Sequence, residues 1–175
     1  NAMRKARKLK IDRFFDVKKF DISVWLKQLR THQWLKNLLL FVPLVISGRF
    51  ADPNDILIIV YALIAFNFLA SSTYIINDLL DLESDRNHAR KKSRPLAAGS
   101  IGIKEGTFAS CLLLAFATSL SIFIGDEFTQ IFITYLFLTL IYSFKLKRCF
   151  GIDVICLAVL YTIRILAGAA AIGVT

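Results

Sequence analysis

Asn77, Asp78, Asp81 and Asp85 recur at steps of three, four and eight residues within YIINDLLDLESDRNHARKKSRPLAAG, directly after an apolar run. At about 3.6 residues per turn, a helix carries all four on one face. Oxygen-bearing side chains converging at the end of an apolar helix, with the basic stretch RNHARKKSR behind them, suit a site where hard cations hold an anionic, phosphorylated ligand. Left alone, Asp78, Asp81 and Asp85 would repel one another, the more so away from water. A divalent cation removes that repulsion. Mg²⁺ is the natural choice, because one or two carboxylates hold it together with substrate phosphate oxygens and retained waters. It also neutralises charge that grows on a departing diphosphate. The plain alternative for this set is a solvated acidic cap.

The neighbours of these aspartates divide by position. Glu83 lies two residues from Asp81 and points away from the other acids, so it reads as a solvated side chain able to pair with Arg86. Asn77 is placed to donate to a phosphate oxygen or to complete the cation's shell. Arg90, Lys91, Lys92 and Arg94 come within reach of the same phosphates if the loop folds back over the helix end, the arginines with a planar fork suited to bidentate contact. Pro95 and Gly99 then punctuate the connection to the next helix.

The elements that must position this set are membrane helices. The 175-residue chain is 56% hydrophobic with fifteen Phe and a mean hydropathy of +0.58, a composition unsuited to a soluble domain. Apolar runs at 34–47, 56–76, 108–124, 128–144 and 152–174 predict an all-α, polytopic transmembrane bundle of about five spanning helices. Residues 24–29 can lengthen the first of these, with Trp25 and Trp34 as interfacial anchors. Asn1 and Ala2 ahead of Met3 read as a tag remnant. Residues 1–22 form a basic tail without chemistry of its own, and 23–175 the transmembrane helical domain.

A net charge of +9 suggests nucleic acid only until its distribution is read. Lys and Arg gather before the first run, between Arg86 and Lys104, and between Lys145 and Arg148, while the alternate connections hold little more than Arg49 or the acids Asp126 and Glu127. The positive-inside bias then places the N-terminus and the Asp-rich segment on the cytoplasmic side of the cell (inner) membrane, with membrane lipids and no nucleic acid as surroundings. Arg164 stands near the middle of the fifth run, where a lone cation is costly and faces a partner or a wet cavity. A ligand or catalytic role is expected of it, because Asp153 is about three turns away. The small residues 167–171 and Gly173 permit close helix packing. Cys111, Cys149 and Cys156 have no spacing that suggests a disulfide framework or a zinc site.

Asn77, Asp78, Asp81 and Asp85 match the NDxxDxxxD signature of the UbiA-type intramembrane prenyltransferases, and Arg94, Pro95 and Gly99 match the segment that follows it there. Gln33, Trp34, Lys36 and Asn37 before the first helix, with Tyr142, Lys145 and Lys147 closing the fourth, look more like the branch that makes polyprenyl-phosphoribose. The resemblance implies that Asp78, Asp81 and Asp85 hold Mg²⁺ against a donor diphosphate with Asn77 beside them. It also implies that Lys36, Asn37, Tyr142 and Lys145 contribute to substrate binding. For Lys36 and Lys145, snorkelling at the interface is an equal reading. Such enzymes are built from two halves, and the second carries a further acidic motif. This chain resembles the first half only, so it reads as a shortened copy or as one that completes its site by association with another chain, self-association included.

The expected function is phosphoribosyl transfer from phosphoribosyl diphosphate to a polyprenyl phosphate. The alternative within the same class is prenyl transfer from a polyprenyl diphosphate to an aromatic or other small acceptor. A cation-coordinating transporter or channel subunit is the non-enzymatic alternative, but transport sites lie near the bilayer midplane at broken helices, whereas this acidic set lies at a helix end beside a basic loop.

Overall fold

The computed structural model describes residues 21–144 and 152–174 of the chain, and the regular elements among them are all helical. The Asp21 carboxylate caps α1 (Ile22–Leu29) by accepting from the Ser23 amide at 2.8 Å. Hydrogen bonding from Ser23 holds that carboxyl below its usual range. α1 stops at Arg30, whose φ of 52° is left-handed. A 3₁₀ stretch follows (Thr31–Phe41) and continues into the short α2 (Val42–Ile46). Asp52 caps α3 (Pro53–Leu80) through the Asn54 amide, with proline at the first position, where no amide is needed. α4 (Leu82–Asn87), a loop, α5 (Ile103–Ile124), α6 (Asp126–Phe144) and α7 (Ile152–Ala171) complete the described chain.

α3 is the centre of the bundle, packed against α5, α6, α7, α1 and the 3₁₀ stretch. Its Phe66 is wholly buried and meets Phe128, Phe132 and Tyr135 of α6 at ring separations of 5.9, 5.6 and 5.1 Å. A smaller cluster of Ile75, Leu96 and Ile101, covered by Val24, Trp25 and Leu29, fastens α1 and the post-α4 loop to the end of α3. Polar ties cross between elements too: Trp34 Nε1 donates to Ser71 Oγ at 3.0 Å, and Ser72 Oγ donates to the Ser110 carbonyl at 2.8 Å. α7 packs tightly on the 3₁₀ stretch at Gly168, where a Cβ would stand 2.2 Å from the Leu40 carbonyl oxygen.

Among the described residues, α3, α5 and α7 are the helices long and apolar enough to cross a membrane, so the expected count of about five is not confirmed. The run at 34–47 is no single α-helix but 3₁₀ followed by α2. α6 has 19 residues but carries Asp126, Glu127, Gln130 and three threonines. The expectation of one unbroken helix through the aspartates is also corrected. Asp81, at φ −89° and ψ 8°, leaves helical geometry and separates α3 from α4.

Candidate functional site

The break at Asp81 does not scatter the acidic residues. Its amide donates to the Asn77 carbonyl at 2.9 Å and its carbonyl accepts from the Asp85 amide at 2.8 Å, so the hydrogen-bond ladder persists on both sides. Asp78 at the end of α3 and Asp85 in α4 are 3% and 1% exposed, and both reach Arg94 Nη1, Asp78 Oδ1 at 3.0 Å and Asp85 Oδ2 at 2.5 Å. Arg30 Nη2 donates to Asp78 Oδ1 at 2.7 Å, Gln28 Nε2 donates to Asp78 Oδ2 at 2.9 Å, and Lys91 Nζ stands 3.8 Å from Asp85 Oδ1. The repulsion that sequence reasoning assigned to a divalent cation is here relieved by guanidinium groups.

A second polar centre lies at the same end of α3. A cavity of about 140 Å³ is lined by Lys36, Asn77, Tyr142 and Arg164, with Tyr74, Tyr135 and Tyr161 among its aromatic walls. Arg164 is 7% exposed, and no carboxylate lies within ion-pairing distance among the described residues. Instead its Nε donates to Asn37 Oδ1 at 2.9 Å, its Nη2 to Tyr135 Oη at 2.6 Å and its Nη1 to the Leu160 carbonyl at 3.2 Å. The guanidinium also stacks on Tyr135 and Tyr161 at 5.1 and 5.2 Å. A guanidinium carries more N–H donors than these contacts use, so Arg164 retains donors for a ligand.

The expected site residues thus fall into two groups. Asp78, Asp85 and Arg94 form the acidic cluster, with half-buried Asp81 at its hinge, while Lys36, Asn77, Tyr142 and Arg164 line the cavity and buried Asn37 braces Arg164 from behind. Glu83, Arg90 and Lys92 are exposed on α4 and the loop after it. Lys145 and Lys147 lie outside the described residues, as do Cys149 and the side chain of Asp153; Cys111 and Cys156 are free thiols. Sequence reasoning missed Gln28 and Arg30, which sit in a basic stretch whose charge suffices to explain membrane orientation. It also missed the tyrosine walls. Tyr161, three residues before Arg164 on the same helix face, carried a readable signal, whereas Tyr135 arrives from another helix and carried none.

Among the described residues, no three Asp, Glu, His or Cys side chains form a ready-made metal-ligand set. The donor chemistry nevertheless fits Mg²⁺, which uses one or two carboxylates and takes its remaining oxygens from phosphate and water. Two buried oxygens beside the cluster, Asp85 Oδ1 and Gln28 Oε1, accept no hydrogen bond among the described residues. Both are hard donors of the kind such a cation or its waters engage.

The model of the UbiA prenyltransferase family matches residues 38–175. Among curated proteins, the chain is 43% identical over 152 residues to an uncharacterized protein of Sinorhizobium fredii, covering 86% of this chain and 29% of that one. It is 36% identical to a nodulation protein of Azorhizobium caulinodans, covering 87% and 50%. It is 32% identical to the decaprenyl-phosphate phosphoribosyltransferase of Corynebacterium glutamicum, covering 85% and 46%. The chain therefore spans half or less of the length of these relatives. Among solved structures, a digeranylgeranylglyceryl phosphate synthase superposes with a TM-score of 0.76 at 26% identity, covering 86% of this chain and 53% of that one. A UbiA homolog from Archaeoglobus fulgidus bound to GPP and Mg²⁺ shares the fold, with a TM-score of 0.69 at 24% identity and coverages of 87% and 55%. With its apolar spans and its NDxxDxxxD residues across the α3–α4 junction, the chain is an integral membrane protein and belongs to the UbiA prenyltransferase family, whose members are transferases.

Proposed function

We propose that this chain forms the donor-diphosphate side of a Mg²⁺-dependent membrane transferase that passes phosphoribose from phosphoribosyl diphosphate to a polyprenyl phosphate. One observation carries the reading: Asn77, on the cavity wall, and Asp78, in the carboxylate cluster, are adjacent in sequence, so acidic residues suited to a cation and a cavity rich in anion-binding groups share one helix end. Asp78, Asp81 and Asp85 would hold Mg²⁺, which when bound stabilises charge growing on the leaving diphosphate. Arg94, with Arg90 and Lys92 on the same loop, binds the diphosphate oxygens. Arg164, positioned by Asn37 and Tyr135, presents its remaining N–H groups to a phosphate in the cavity, where Lys36 and Tyr142 also line the wall, and Lys145 is proposed as a further phosphate contact. Leu157, Leu160 and Ala70 give the isoprenoid an apolar wall.

In this reading residues 23–175 are one transmembrane domain, with the site and the N-terminus facing the cytoplasm from the inner membrane and a second half or second copy supplying the groups that complete it. A 3₁₀ stretch rises about 2.0 Å per residue against about 1.5 Å for α-helix, so Thr31–Phe41 with α2 covers about 30 Å, enough for a hydrocarbon core. α6 covers about 28 Å. Those two, added to α3, α5 and α7, make five crossings. The break at Asp81 lies at the end of α3 beside a basic loop rather than at mid-span, which argues against a transport site. The tyrosine walls favour one second reading, prenyl transfer to an aromatic acceptor.

Mg²⁺-dependent binding of phosphoribosyl diphosphate and of a polyprenyl diphosphate to the purified protein, beside the Asp78→Asn, Asp81→Asn double variant, tests the proposal. Binding of the sugar diphosphate, lost in the variant, is the expected result. Binding of the polyprenyl diphosphate alone selects prenyl transfer, and binding of neither rejects a donor site in this chain.

A further inference from the structure

Arg94 holds both buried carboxylates through a single nitrogen, Nη1, at 3.0 Å from Asp78 and 2.5 Å from Asp85. One positive centre shared between two carboxylates from successive helices is also what a bridging divalent cation provides. We propose that Arg94 is an exchangeable counter-ion: on entry of a divalent cation its guanidinium leaves Asp78 and Asp85 and moves to the diphosphate oxygens that the cation carries. The inference rests on the donor-site reading above.

Charge accounts for why something must leave. Arg30, Arg94 and Lys91 already surround the carboxylates of Asp78 and Asp85. A divalent cation added to that set would put strong like-charge repulsion into a poorly solvated site. Of the arginines, Arg30 is the fixed one. It closes α1 at its left-handed turn, and its guanidinium lies 4.8 Å over the Tyr74 ring. Arg94 has no ring stacked on it among the described residues. Its backbone is pinned by its amide on the Lys91 carbonyl at 3.0 Å and by the Ala98 amide on its own carbonyl at 2.8 Å, with buried Pro95 and Leu96 following, while its side chain is 26% exposed. Rotation about the side chain therefore suffices, with no movement of the loop.

The oxygens left behind are suited to the newcomer. Asp85 Oδ1 and Gln28 Oε1, each on a residue 1% exposed, accept no hydrogen bond among the described residues, so the cluster holds acceptor capacity that Arg94 does not use. A cation with its own waters satisfies both. A planar guanidinium is in turn better matched to phosphate than a point charge, because it donates through two parallel N–H groups.

The test uses Mn²⁺ as the paramagnetic stand-in for Mg²⁺ and inorganic pyrophosphate as the ligand, on the full chain in detergent. Free Mn²⁺ is read by electron paramagnetic resonance and pyrophosphate binding is read at saturating Mn²⁺. Arg94→Gln is expected to bind Mn²⁺ alone more tightly than the wild-type chain, by about threefold or more, because a competing cation is gone. It should bind pyrophosphate more weakly by about tenfold or more, the loss that goes with a charge-assisted hydrogen bond. Arg94→Lys keeps a cation among the buried carboxylates, so it protects the fold. It should move both affinities in the same directions by less, and it decides the matter if Arg94→Gln does not fold. Unchanged or weaker Mn²⁺ binding in the folded variants overturns the exchange while leaving the donor site standing. A wild-type chain that binds no Mn²⁺ overturns both.

Discussion

Arg164 and Asn37 are 127 positions apart, and Arg164 Nε donates to Asn37 Oδ1 at 2.9 Å while Asn37 Nδ2 donates onward to Asn67 Oδ1 at 2.8 Å. One buried amide thus ties α3, α7 and the 3₁₀ stretch together and turns a cation from the middle of an apolar helix toward the cavity. Replacing Arg164 with Met leaves Asn37 Oδ1 without its donor, at an expected cost of about 1–3 kcal/mol in thermal or denaturant unfolding in detergent. The double variant Asn37→Leu, Arg164→Met should cost less than the sum of the single changes, because each single change already breaks the shared bond. Strict additivity would show that the pair is not energetically coupled.

Gly168 is fixed by distance, since a methyl there would collide with the Leu40 backbone and not with a flexible side chain. Gly168→Ala is expected to push α7 off the 3₁₀ stretch and to destabilise the protein by about 1–3 kcal/mol, the range for overpacking. Unfolding midpoints should fall for Gly168→Ala and stay level for Val159→Ala, whose side chain is 42% exposed on the same helix.

Arg30 combines two opposed effects, a left-handed backbone that disfavours any side chain and an ion pair with Asp78. Comparing Arg30→Ala with Arg30→Gly separates them. Both lose the ion pair, but glycine accepts φ of 52° without steric cost and should leave the protein about 1 kcal/mol more stable than alanine does. Equal unfolding midpoints would mean that the turn stores no strain.

At the far end of α3, Arg49 clamps two elements. Its Nε stands 2.7 Å from Asp55 Oδ2, and its Nη1 donates to the Ile172 carbonyl at 2.7 Å. Asp55 is 4% exposed, so Arg49→Met strands a buried carboxylate and is expected to cost about 2 kcal/mol, less than a fully buried pair because the Arg49 side chain is 42% exposed. Adding Asp55→Asn to Arg49→Met should recover part of that loss in the same unfolding assay.

The acidic cluster was legible because its information is local: Asp78 and Asp85 lie seven residues apart, and even the interruption at Asp81 preserves the ladder that aligns them. The interruption itself was not legible, since nothing in the run of residues around Asp81 forbids a continued helix. Arg164 was legible because a charge in an apolar run is conspicuous whatever surrounds it. Its partners were not: Asn37 and Tyr135 come from elements joined to α7 only by tertiary packing. The same holds for Gln28 and Arg30, which reach Asp78 across about fifty residues of sequence. The span count is not confirmed, for a different reason. The first run divides into a 3₁₀ stretch and a five-residue α-helix, neither long enough alone, and α6 begins with the polar residues Asp126, Glu127, Thr129 and Gln130.

The bond between Arg164 and Asn37 also has a direction in time. Chains are made from the N-terminus, so Asn37, Asn67 and Tyr135 are synthesised before Arg164 is added. A span with an arginine at its centre enters the bilayer at a penalty of about 2.5–3.5 kcal/mol when nothing receives the charge. Here the receiving groups are already synthesised, and insertion of the last described helix becomes a docking step onto earlier ones. A chain whose first forty residues were exchanged for an unrelated span would be expected to stall at that helix during biogenesis, long before any question of catalysis arose.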